Sequence, residues 1–200
     1  MRIPSSPLTM VELQAIQLTS KKKRGEHALH AVGTHRIDRI CRHTIKTLQF
    51  WGLNRISNYS QQSMSLDDYI FLDEKTLKTS GLFLYFVDAH DLIKEISHPN
   101  ATYLAFVPYE VTLIDGKKGN IYRNVANGYG AKRVALVMGS SLTDWPYNDE
   151  IYLPIHEFGH SEYNIKHHNG KNCVMANMNR KIKYCRSCLH KAKDVERIRT

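Results

Sequence analysis

The sequence predicts an α/β sandwich built on a mostly parallel sheet. Three observations carry this. Leu82–Val87 and Tyr103–Val107 are uninterrupted apolar runs, the pattern of strands covered on both faces. A long stretch with apolar residues at three- and four-residue steps precedes them, and a second helical stretch follows. Strands alternating with helices in this way build a covered parallel sheet. Two hundred residues suffice for one domain with a real core.

The elements are expected in the following order. Val11–Thr19 alternates loosely and reads as a first strand, ended by the basic run Lys21-Lys22-Lys23-Arg24 and Gly25. From about His27 to Phe50, Ile37, Ile40, Cys41, Ile45 and Leu48 recur at helical spacing, which predicts a long amphipathic helix stopping near Gly52. Cys41 belongs to its core-facing side. Residues 53 to 68 are polar and read as loop. The two apolar runs come next, and Arg133–Met138 is a third strand. Asn120–Gly130, more polar and containing Gly128 and Gly130, suits an exposed edge strand. Asp149, Glu150 and Pro154 mark the start of another helix, running to about Tyr163, since acidic residues and proline favour a first turn. A cysteine-bearing tail closes the chain.

Composition narrows the class. The chain has 28 Lys plus Arg against 19 Asp plus Glu, a formal charge of +9, which favours acidic partners such as nucleic acid. Much of that charge sits in the run 21–24 and in Arg180–Arg199, and such runs ordinarily serve as solvated surface. No apolar stretch reaches the ~18 residues of a membrane span, and the first residues lack a signal-like apolar core. The expectation is an intracellular, cytoplasmic monomer without a membrane partner. Three of the four cysteines, Cys173, Cys185 and Cys188, cluster near the end, which in a reducing compartment reads as metal binding before disulfide.

His156-Glu157-Phe158-Gly159-His160 matches H-E-x-x-H. On a helix, residues four apart stand one turn apart on one face, so both imidazoles reach one zinc ion, while Glu157 is placed to act as general base on activated water. By itself the motif also fits a surface helix with two solvated histidines. Downstream lie His167, His168, Cys173, Cys185 and Cys188. A catalytic zinc needs a third protein ligand and an open position, and a structural zinc needs four closed ligands, often with a C-x-x-C pair. Five candidates divide into one and four.

At this point the chain resembles the archaemetzincin family, whose signature runs H-E-x-x-H-x-x-G-x-x-H-C, four residues, C-x-M, and later C-x-x-C. His156, Glu157 and His160 match its opening. Cys173-Val174-Met175 matches C-x-M at the family spacing from His168, and Cys185-Arg186-Ser187-Cys188 matches the final pair. The resemblance implies a zincin-like sandwich with a twisted, mixed, mostly parallel sheet, an antiparallel edge strand, a long backing helix, an active-site helix and a zinc-stapled C-terminal segment. It implies one metallopeptidase domain over 1–200, with 1–150 forming the sheet-and-helix part and 151–200 carrying the active-site helix, the Met-turn and the structural zinc. It implies two zinc ions: a catalytic one on His156, His160 and His167 with Glu157 as base, and a structural one on His168, Cys173, Cys185 and Cys188. Met175 becomes the Met-turn residue, and the edge strand becomes the place where a peptide or protein substrate lies extended.

The chain departs from that pattern in four ways. Tyr163 stands where the family has glycine, but Asn164 follows it, and asparagine is the residue after glycine best able to turn left-handed. This inserts one residue before His167, and His168 remains able to exchange roles with it. His168 replaces a cysteine, which zinc accepts. The interval between the two cysteine motifs is short, and Pro154 lies two residues before His156. Met175 taken alone is ordinary core filler, and Tyr163 and Tyr184 are secondary candidates to reach an oxyanion. Two other functions share these residues: a SprT-like protease acting on DNA-bound proteins, and a non-catalytic zinc knot that binds nucleic acid through the basic tail.

Overall fold

The computed structural model describes residues 10–24, 27–72, 85–98, 101–115, 128–143, 150–169, 172–176 and 183–198. Within them the chain folds as an α/β protein on a mixed, mostly parallel five-stranded sheet. In chain order the elements are β1 (Val11–Thr19), β2 (Lys23–Arg24), β3 (His27–Ala28), α1 (Thr34–Phe50), β4 (Ile56–Ser65), β5 (Phe71–Leu72) and β6 (Tyr85–Asp88). Then come α2 (Ala89–Ile96), β7 (Thr102–Val107), β8 (Val111–Ile114), β9 (Gly128–Ala131), β10 (Val134–Met138), α3 (Gly139–Thr143), α4 (Tyr152–Ser161) and α5 (Arg186–Ile198).

The main sheet has the order β4-β1-β7-β10-β9. Its pairs are parallel except β9 on β10, which is antiparallel and closes through the two-residue turn Lys132-Arg133, both at positive φ. Such a left-handed pair matches the twist of a tight hairpin. Every residue of β7 and β10 is buried, because the sheet is covered on both sides. Leu13, Ala15, Leu104, Phe106, Ala135 and Val137 face α1 and α4, and the alternate residues face a second sheet, β5-β6-β8, with α2. Alternation along each strand therefore builds two cores from one sheet.

The first strand and the runs 103–107 and 133–138 are strands as expected; β6 holds the described end of the run 82–87, in the second sheet, and β9 the described end of Asn120–Gly130. Residues 82–84, 116–127, 144–149 and 180–182, which held parts of the predicted strand, edge strand, helix start and basic tail, lie outside the described residues.

Five expectations need correction. The first helix begins at Thr34, not near His27: Gly33 caps it through its carbonyl, and residues 27–28 pair with 23–24 instead. Residues 56–65 are no loop but the edge strand β4, parallel to β1. That strand buries only Ile56 fully, so its solvent-facing side chains mask the extended backbone. α2 and β8 interrupt what reads as a plain run of strands; Asp88 starts α2 by accepting hydrogen bonds from the backbone of His90 and Asp91. The tail ends in a helix, α5, whose Glu196 is buried where it accepts from the backbone N–H groups of Asn54 and Arg55.

Glu150 does not act on the helix dipole as expected. It is buried in an ion cluster with Arg36 at 2.7 Å and Arg39 at 2.6 Å, which ties the approach to α4 onto α1. Pro154 is accommodated in the first turn of α4. Among the described residues no helix is long and apolar enough to cross a membrane.

Candidate metal centres

α4 presents His156 and His160 one turn apart, with ring centroids 4.9 Å from each other. After Ser161 the helix must stop for a third ligand to return to the same place. Asn164 does this at φ +50°, the left-handed conformation its short side chain tolerates. The backbone of Ile165 then donates to Gly159 O at 2.7 Å, and the chain folds back along the helix end. That return brings His167 Nε2 to 2.8 Å from His156 Nε2 and 3.0 Å from His160 Nε2, with 3.2 Å between the last two. Two ligands bound at about 2.0–2.1 Å to one tetrahedral zinc stand about 3.3–3.4 Å apart, so the three nitrogens are slightly closer together than such a set and a small outward shift would admit one ion.

Hydrogen bonding fixes two of the tautomers. His156 Nδ1 donates to Val174 O at 2.6 Å and His160 Nδ1 donates to Ile165 O at 2.7 Å, since a carbonyl only accepts. Both Nε2 atoms of the neutral rings therefore carry lone pairs, and these face each other. Burial keeps the rings neutral: it pushes His160 down to about 4, helped by the neighbouring histidines, and lowers His156 and His167 below the usual imidazole range. Converging lone pairs without a proton between them repel, and a cation relieves that repulsion. The donor set fits a metal ion, with the Nδ1 contacts orienting the ligands.

Glu157 is 4% exposed, and burial raises its carboxyl to about 8. It lies against β9, whose glycines have a packing reason that polarity alone did not reveal. A Cβ at Gly130 would stand 2.4 Å from Glu157 O, and one at Gly128 would stand 3.0 Å from Glu157 Oε1. Only bare backbone lets the helix lie this close to the edge strand.

Met175 is fully buried beneath α4; a Cβ at Gly159 would meet its Sδ at 2.2 Å. It belongs to the turn Cys173–Ala176, closed by Ala176 N donating to Cys173 O at 3.1 Å.

His168 points the other way from His167. Its Nε2 lies 3.3 Å from Cys188 Sγ and 3.7 Å from Cys185 Sγ, and Cys173 Sγ lies 3.7 Å from Cys188 Sγ. Around a zinc with bonds of about 2.3 Å to sulfur and 2.0–2.1 Å to nitrogen, such separations come to about 3.5–3.8 Å. All four cysteines are free thiols. Burial raises Cys188; at half-exposed Cys185 the hydrogen bonds from Ser187 and Cys188 outweigh burial and lower the thiol. His168, Cys173, Cys185 and Cys188 form a group that can hold a metal ion, and in both clusters the ligand atoms lie within 4.8 Å of one another.

The two clusters share a frame. His167 and His168 are consecutive, and so are Cys173 and Val174, one a member of the second cluster and the other the carbonyl partner of His156. His168 N also donates to Met175 O at 3.3 Å.

The structure brings His167 together with the helical pair His156 and His160, and His168 together with Cys173, Cys185 and Cys188. Cys41 is core, as expected. Tyr163 and Tyr184 are core residues and not oxyanion contacts: Tyr184 donates to Ile155 O at 2.8 Å and Tyr163 to Glu196 at 3.5 Å. Sequence reading missed Tyr152, which donates to Val174 O at 3.3 Å, and Glu162, buried at the end of α4 between Arg55 at 3.0 Å and Thr102 at 2.8 Å. Neither has a local signal, since each depends on a partner far away in sequence.

No protein-family model matches this chain, and comparison with curated proteins gives no significant match.

Proposed function

We propose that the chain is a zinc-dependent peptidase of the metzincin kind, similar to the archaemetzincins. One observation carries the reading: the Nε2 atoms of His156, His160 and His167 converge at 2.8–3.2 Å with lone pairs inward, beside a buried Glu157. His156, His160 and His167 hold a catalytic zinc, and His168, Cys173, Cys185 and Cys188 a structural one. When bound, the catalytic ion supplies Lewis acidity, making water acidic near neutral pH and polarising the scissile carbonyl.

The protein's part is acid–base and positional. Burial alone favours the protonated carboxyl of Glu157, and a cation held by the three histidines beside it would favour the carboxylate, which takes a proton from the attacking water and passes it to the departing amide nitrogen. Val174 O and Ile165 O hold two imidazoles in the tautomer that leaves Nε2 free to bind. Met175 forms the floor below Gly159. Among the described residues β9 is the terminal, antiparallel strand of the sheet, and it lies directly against α4, so an extended substrate adding to it passes beside Glu157.

The inclusion of His167 favours this reading over a SprT-like protease, and the four-residue cluster then staples the catalytic segment instead of forming a free-standing nucleic-acid knot. The test is Glu157→Gln. Hydrolysis of a quenched-fluorescent peptide library should fall by about 10²–10⁴ with both metals retained. Turnover equal to that of the unmodified chain would remove Glu157 from the mechanism.

A further inference from the structure

β4 ends the sheet on the side away from β9, and among the described residues no strand pairs with its outer edge. Its ten residues, Ile56–Ser65, include no charge, proline or glycine. Long edge strands are ordinarily guarded against pairing by just such residues or by bulges. β4 pairs with β1 in unbroken register from Tyr59 to Ser65, the one irregularity lying at its start. A regular, uncharged row of backbone donors and acceptors thus faces outward.

At this strand, Ser57, Asn58, Tyr59 and Gln61 line a cavity of about 530 Å³ whose opposite wall is α1, with Arg42 and Lys46. Tyr59 and Gln61, two apart in the regular stretch of the strand, share the face turned to α1, and Ser57 and Asn58 reach the cavity from the irregularity before them. The lining contains two cations and no carboxylate. Asp38 lies beside it, holding Arg42 at 3.0 Å and accepting the Tyr59 hydroxyl, so Arg42 is fixed in place and Lys46 is the less compensated charge.

We propose that β4 is a docking edge for an extended acidic segment of another protein, which adds as a further strand and lays an acidic side chain between Gln61 and Lys46. Main-chain hydrogen bonds supply most of the affinity, and the cavity supplies the preference for acid. A second copy of this chain fits worse: each copy carries +9, and pairing β4 with β4 brings two sets of Arg42 and Lys46 together. The site lies across the sheet from β9 and stands whether or not the chain is a peptidase.

The probe is a fluorescent, end-blocked ten-residue peptide alternating threonine and glutamate, titrated with the full chain by anisotropy and followed by hydrogen exchange. The expected result is saturable binding, exchange slowed across residues 56–65, and at least a tenfold loss of affinity in Lys46→Glu. Gln61→Glu, on the other wall, gives the same loss independently should Lys46→Glu fail to fold. Equal binding by a peptide of the same charge with proline replacing threonine would reduce the effect to bulk attraction and overturn strand addition. Protection elsewhere, or β4 protection without peptide accompanied by a doubled mass, would overturn the choice of partner.

Discussion

Gly159 sits inside α4 between the two helical histidines, where glycine ordinarily costs about 0.8–1.0 kcal/mol relative to alanine. Gly159→Ala should nonetheless destabilise the protein. The added methyl would stand 2.2 Å from Met175 Sδ and 2.7 Å from its Cε, with the Tyr184 hydroxyl at 3.3 Å. Comfortable contacts lie at about 3.5–4.0 Å, so the thioether must retreat about 1.5 Å. Met175 is fully buried, so the retreat has to be made within the core. Overpacking costs about 1–3 kcal/mol, and the adaptable methionine chain keeps it near the middle of that range. Set against the helix gain, the net loss is about 1 kcal/mol, or about 2–4 °C in Tm for a chain of this size. The assay is urea unfolding of Gly159→Ala, Met175→Ala and the double variant in one metal-loaded state. In the Met175→Ala background the methyl has room, so Gly159→Ala should there gain about 1 kcal/mol, a coupling of about 2 kcal/mol between the sites. Stabilisation by alanine in both backgrounds would refute the packing argument.

Three further outcomes follow from the same geometry. Cys188→Ser touches no member of the three-histidine cluster, yet it should weaken metal there by about 10–100-fold, because the second cluster anchors His167 and the Val174 carbonyl; competition with a coloured chelator reads the affinity, and an unchanged value contradicts the shared frame. Burial raises the folded-state pKa of Glu196, so its contribution to stability is complete below the ordinary glutamate range and is lost as pH rises through the raised value. Urea midpoints of the unmodified chain should therefore fall relative to those of Glu196→Gln as pH rises from 4 towards neutrality, and parallel curves would contradict this. In metal-stripped protein, iodoacetamide should label the half-exposed, lowered Cys185 before Cys41, since burial pushes Cys41 up to about 12; mass mapping of the adducts checks the order.

What the sequence disclosed depended on how local each signal was. The strands β7 and β10 were legible because both their faces are covered and every residue but Thr102 is therefore apolar. The centre was legible because helical spacing fixes His156 against His160, and because Asn164 marks the turn that brings back His167. β4 was not: one buried isoleucine and nine residues of mixed or open exposure leave no period to read, and only its pairing with β1 makes it a strand. α2 carried a readable signal in Asp88 and the spacing of Ala89, Leu92, Ile93 and Ile96, but at eight residues it hides between strands. In α5 the buried Glu196 is explained by backbone donors at Asn54 and Arg55, about 140 residues earlier, which no local pattern encodes. The glycines of β9 were assigned to an edge strand for their polarity, whereas the structure requires them for the close approach of α4.

Zinc per chain, determined by elemental analysis on the intact protein and on His167→Ala, bears most directly on all of this. Two equivalents falling to about one is the predicted outcome, with the remaining ion on the cysteine cluster. A single equivalent in the intact chain, or two in both proteins, would mean that the three imidazoles do not grip a metal together.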